Sequence, residues 1–161
     1  MIRKIAVSVF VSGLLLTGCR TGKDINQSNQ KENTSSESQA AVNYSIAKNY
    51  FVKSSARTVS KLKIESEDQF NELFGMATTM GEAGKPTPVD FSKQFVIAVI
   101  MPESDVATLI EPVSLNNTSK NELTFHYRLT VGNKQSFTSI PFCAIIVNKE
   151  DNGNVIFKES K

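Results

Sequence analysis

Seven apolar residues stand in a row from Phe95 to Met101, most of them β-branched or aromatic, and Pro102 stops the run. A stretch this short cannot span a bilayer, and it has no polar face of its own. It is therefore expected to be a central strand buried on both sides, so the chain must supply an apolar layer above it and another below. Phe142 to Val147 is again almost entirely apolar and is expected to lie beside it. Between the two runs, Leu123, Phe125, Tyr127, Leu129 and Val131 alternate with Thr124, His126, Arg128 and Thr130. That period of two describes an antiparallel strand with one buried and one solvated side.

The remaining elements follow from turn and capping chemistry. Tyr50 to Val52 and Val59 to Ile64 read as strands. Ser66-Glu67-Asp68-Gln69 has the capping-box pattern, and Glu67 and Asp68 suit the positive end of a helix dipole. Phe70, Leu73, Phe74 and Ala77 keep helical spacing, with Gly75 or Gly81 as the expected stop. Met76 to Val89, broken by Gly81, Gly84, Pro86 and Pro88, reads as a loop. Val106 to Leu115 contains Pro112 and is expected to be bulged or at an edge, with Asn116, Asn117 and Asn121 marking the next turn. Gly132 to Ser136, continued by Ser139-Ile140-Pro141-Phe142, reads as a second loop near one end of the sheet. Asp151-Asn152-Gly153 is a hairpin signal before a last strand at Val155 to Phe157. Together these predict one α+β domain over residues 43–161. It would be a strongly twisted, mainly antiparallel sheet with one short helix packed on one face, and a small closed β-barrel is the alternative.

The first 42 residues are expected to lie outside that fold. Arg3 and Lys4 precede an apolar stretch from Ile5 to Leu16, as in a cleaved export signal covering residues 1–18. Leu16-Thr17-Gly18-Cys19 looks like a bacterial lipobox, which implies a mature chain beginning at a Cys19 that carries acyl chains such as palmitate. Each buried CH₂ contributes about 0.8 kcal/mol, so several acyl chains make a stable membrane anchor. Residues 19–42 are polar, with Ile25 the one large apolar group before Val42, and are expected to form a disordered tether reaching about 25–30 Å. The full chain has 18 basic and 16 acidic residues; without Arg3 and Lys4 the basic count falls to 16 and the balance is neutral. Such a balance offers no footprint for nucleic acid. Arg20 after the lipidated cysteine and the lack of an acidic export motif point to the outer membrane, facing the periplasm, with surface exposure as the alternative.

No constellation in the chain points to catalysis, a metal or a cofactor. His126 is the sole histidine and sits among the polar positions of its strand, where a surface role is expected. Cys143 lies in an apolar run, which favours a buried thiol over a nucleophile. The glycines make no phosphate cradle, and Glu103, Asp105 and Glu111 lack the spacing of a calcium loop. The expectation is a non-enzyme whose contacts with other proteins come from its two loops. Met76, Met80, Pro86 and Pro88 are the candidates in one, and Lys134, Ile140 and Pro141 in the other.

Ser66-Glu67-Asp68-Gln69-Phe70, a Pro-containing loop, Val89 to Val99 with its Asp90-Phe91-Ser92, and Thr138-Ser139-Ile140-Pro141-Phe142 resemble the PrcB C-terminal domain family of bacterial envelope proteins. The likeness spans about Leu62 to Val147. It implies a lipid-anchored, non-catalytic accessory partner of an exported protein such as a protease. Two alternatives accompany it: an inhibitor inserting a loop at Val131 to Pro141 into a protease, and an envelope lipoprotein that binds a small ligand.

Overall fold

The computed structural model describes residues 40–53 and 60–160. The expected signal, Cys19 and the tether up to residue 39 fall outside the described residues, as does Val59. In chain order the elements are β1 (Ala40–Ala41), β2 (Tyr44–Ile46), β3 (Tyr50–Val52), β4 (Ser60–Ile64), α1 (Glu67–Leu73), β5 (Phe74–Met76), β6 (Gln94–Ile100), β7 (Ser104–Ser119), β8 (Glu122–Ser139), β9 (Phe142–Asn148) and β10 (Asn154–Ser160). Short 3-10 turns occupy Glu82–Gly84 and Lys149–Asp151.

The apolar run forms β6 and is buried along its whole length from Phe95 to Ile100. Asp90 sets its start. Its carboxylate accepts from the Ser92 N–H at 3.0 Å and the Ser92 hydroxyl at 2.5 Å, while its carbonyl accepts from the N–H groups of Lys93 and Gln94. The Ser92 hydroxyl, then the Ser92 N–H and Lys93, hold the Asp90 carboxyl below the usual carboxylate range. β6 lies between β9 and β4 in an antiparallel sheet of order β2-β9-β6-β4, with Ile97 opposite Ile145 and Val99 opposite Cys143. A second sheet has the order β1-β7-β8-β10.

Because side chains alternate along β6, its two faces build two cores. Phe95, Ile97 and Val99 join Cys143, Ile145 and Val147 of β9 in meeting the second sheet through Ile110, Leu115, Leu123, Phe125 and Tyr127. Val96, Ala98 and Ile100 face the other way, onto Phe70 of α1 and onto Val52 and Phe74, which pair in a small β3–β5 ribbon. The fold is thus α+β, with mixed and antiparallel sheets and a single short helix packed on one face. Both sheets are open in strand order, so the closed-barrel alternative does not describe them. They are joined at a corner: the β6–β9 ladder ends at Ile100 opposite Phe142, the Met101 N–H donates to the Pro141 carbonyl at 2.9 Å, and pairing resumes with Ser104 opposite Ser139.

Several local expectations change. The Ser66 hydroxyl does accept from the Gln69 N–H at 3.3 Å, but α1 stops at Leu73. Neither Gly75 nor Gly81 ends it. Phe74 turns extended because β3 offers Val52 as its strand partner, so Phe74 and Ala77 leave the helical face. Asn116 and Asn117 lie within β7, and the hairpin turn is Lys120-Asn121, with Asn121 at φ 70°. Pro112 does mark a bulge, between Pro112 and Ser114. Gly132 to Ser136 is strand: Lys134 stands opposite Val106, so β7 and β8 make a long twisted ribbon. No hairpin joins β9 to β10, since β9 already has β2 on one edge and β6 on the other. β10 instead crosses to the second sheet and runs parallel to β8, with Phe157 opposite Phe125. Ala40 to Val42, expected in the tether, belong to the fold: β1 pairs with Asn116 and Asn117, and Val42 is buried.

Candidate partner-binding surfaces

The Met76 to Val89 segment contains little regular structure but is firmly held. Asn49, at φ 61°, donates its side-chain amide to the carbonyls of Ala83 and Lys85, each at 2.8 Å, and its own carbonyl accepts from the Ala77 N–H at 2.9 Å. Thr87 exchanges bonds with Lys48 on the same strand connection, and the Tyr50 hydroxyl donates to the Thr87 carbonyl at 2.7 Å. Burial raises the Tyr50 phenol above its ordinary range. Gly84 is buried, and a Cβ there would stand 2.3 Å from the Thr79 carbonyl oxygen, so only glycine closes this turn. On that base Met76, Met80 and Pro88 are exposed, while Pro86 is half-buried. Met76 and Pro88 border a hollow of about 210 Å³ whose other walls include Tyr50, Phe70 and Phe91.

The second group of candidates separates. Lys134 is exposed and pairs with Asp105 at 3.0 Å. Pro141 is buried and Ile140 packs half-buried against the helix-side core, so both residues serve the corner between the sheets. The apolar groups left in solvent here are others: Val131 is 69% exposed, Phe137 59% and Leu109 56%. Ala107, Leu109, Gly132 and Phe137 line a shallow depression of about 320 Å³ on this end of the ribbon. Val131 was expected on the buried side of its strand, but the core between the sheets ends at Leu129 and leaves it in solvent; nothing in the sequence marked Leu109 or Phe137 as exposed.

A third surface had no sequence signal. β1 leaves the second sheet after the Val42 N–H donates to the Leu115 carbonyl at 2.8 Å, and β2 then joins the central sheet. Where the chain switches sheets, β2 and β7 part company and leave a cleft of about 480 Å³, walled by Tyr44 and Ile46 on one side and by Leu109 to Pro112 on the other. Phe142, Cys143 and Ala144 of β9 complete its lining. Cys143 is buried, and desolvation pushes its thiol up to about 11, so it contributes an inert apolar surface and no thiolate.

Comparison with family models, curated proteins and solved structures finds no match for this chain. The chemistry of its surfaces must be read from geometry. His126 is half-buried on β8, between Ser114 of β7 and Lys158 of β10 in the register. Among the described residues no group of three or more His, Cys, Asp or Glu side chains is placed to hold a metal ion. The Val131 to Pro141 stretch, expected as an insertable loop, is mostly β8 strand paired to β7.

Proposed function

We propose that this protein is a lipid-anchored, non-catalytic accessory partner of another exported protein in the bacterial envelope, such as a protease. The observation that carries the reading is the presence of large apolar side chains in solvent on backbone that strand pairing holds in place, Leu109 and Val131 on the β7–β8 ribbon, with the exposed Phe137 close by in β8. Preorganised apolar groups of this kind lose little conformational freedom on docking, which is what a protein-binding surface requires. The lipobox-like Leu16 to Cys19 supports the anchor, Arg20 after it supports the outer membrane, and the likeness to the PrcB C-terminal domain family supports a protease as the client.

Two measurements test it. Metabolic labelling with palmitate should mark the wild-type chain and not Cys19→Ser. Capture from detergent-solubilised envelopes should recover one defined protein with the wild type and much less with Leu109→Asp/Phe137→Asp. A protease partner should keep or gain turnover when the protein is added. Loss of turnover would instead identify an inhibitor, and equal capture by wild type and double variant would overturn the ribbon as the contact.

A further inference from the structure

We infer that the cleft between β2 and β7 accepts an extended segment of the partner protein as an added strand, and that this segment carries apolar side chains and one basic residue. The inference rests on the binding role proposed above and specifies where and how the partner is held.

Three observations converge on this occupant. The first is backbone chemistry. Among the described residues β7 pairs with β8 along its length, but on its other edge it meets only β1, at Asn116 and Asn117, and the Val42 N–H. Among the described residues the edge beyond Leu115 toward Ser104 has no strand partner. Pro112 lies in that open stretch, a position where a missing donor is tolerated. On β2, the Ala47 N–H bond to the Ala144 carbonyl fixes the parity of the ladder with β9. The backbone groups of Tyr44 and Ile46 must then point away from β9, and of these only the Ile46 carbonyl is engaged, by the Thr87 hydroxyl at 3.3 Å. Two strand edges with unspent donors and acceptors therefore border one cleft. An extended chain is the ligand that satisfies such edges.

The second observation is the continuity of an existing interface. β1 already occupies the β7 edge as a short antiparallel strand, and an incoming strand would continue the same sheet where β1 departs. The third is charge. Ile46 and Leu109 present exposed apolar side chains on the cleft walls, and Glu111 is its one charged lining residue. Arg128 stands opposite Glu111 in the register, yet no ion pair forms between them. An unpaired carboxylate on an apolar wall selects a segment with a lysine or arginine among apolar residues. The chain's own residues 20–39 do not fit, since Ile25 is their one large apolar residue.

The test uses the full-length lipidated chain in detergent micelles, ¹⁵N-labelled. The probe is an acetylated, amidated heptapeptide alternating valine and threonine around a central arginine. Its counterpart carries glutamate at the centre. The arginine peptide should shift amide resonances of residues 44–46, 108–111 and 113 and bind about tenfold more tightly than the glutamate peptide. Glu111→Lys should reverse that preference, and Ile46→Asp, at an exposed position, should weaken both peptides while leaving spectral dispersion intact. Shifts confined to other surfaces, an unchanged preference in Glu111→Lys, or no binding at millimolar peptide would overturn the inference. So would peptide-free shifts at the cleft that grow with protein concentration, which would assign it to a second copy of the chain. Loss of partner capture in Leu109→Asp/Phe137→Asp with no peptide binding at the cleft would leave the accessory role standing and remove this site alone.

Discussion

Asn49 fastens the exposed loop from outside it. Its left-handed backbone turns the chain between β2 and β3, and its side chain bridges two loop carbonyls. Asn49→Ala removes both bonds and strains φ, and should lower stability by about 1–3 kcal/mol in urea unfolding. Asn49→Gly relieves the strain and isolates the cost of the two bonds, so it should fall between alanine and wild type. Cys143 yields a prediction of a different kind. Its thiol titrates near 11 when folded, against an ordinary value of 9.0. The unfolded chain therefore releases this proton first. The thiol's contribution is intact below pH about 9, and declines as pH rises to about 11, by an amount on the order of 2 kcal/mol. Cys143→Ala should flatten that part of the stability–pH profile, and alkylation of the native thiol at pH 8 should be slow. The burial of Cys143 was legible in the sequence because its neighbours are uniformly apolar. Asn49 was not, since an asparagine in a polar context gives no hint of which carbonyls it will reach.

Among the elements, those defined by local chemistry were the readable ones. Ser66 and Gln69 announced α1, and its cap is where they place it. The alternation of Leu123 to Val131 announced β8 and the burial of Leu123, Phe125 and Tyr127, but Thr124, expected on the solvated side, is buried, and Val131, expected on the buried side, stands in solvent. What escaped were the elements whose state depends on a distant partner. Phe74 continues a helical pattern by spacing but is drawn into β5 by Val52. Gly132 to Ser136 have loop composition yet are held as strand by β7. Asp151 to Gly153 have hairpin chemistry, but the strand before them has no edge left to receive a return. Gly153 has another task. The Asn154 N–H donates to the Asn121 carbonyl at 2.8 Å, and a Cβ on Gly153 would lie 2.8 Å from the same Asn121 carbonyl group. Gly153→Ala must push β10 from the hairpin turn it leans on. It should cost about 1–3 kcal/mol and raise amide exchange along β10 before the central sheet is affected.

At the largest scale, the described residues are arranged about β6, with sheet on one side and helix and ribbon on the other. Ile97 and Ile100 belong to opposite cores, yet each is fully buried. Ile97→Ala and Ile100→Ala should each lower stability by about 2–5 kcal/mol, as measured by denaturant unfolding. Because the two side chains lie on opposite faces of one strand and share no core cluster, the double variant should be close to additive. The layers were foreseeable from a run with no polar face; the identity of the strands covering it was not, because pairing partners are chosen by the full set of edges. The doubly covered position of β6 and β9 has a further consequence during synthesis and folding. Until both layers close, two wholly apolar, strand-prone segments lie open to other copies, the composition that seeds cross-β aggregates. Pro102 and Lys93 bracket one of these segments, and Pro141 with the Lys149-Glu150-Asp151 charges brackets the other. Residues that punctuate the finished sheet thereby act as gatekeepers for the chain while it is still unfolded.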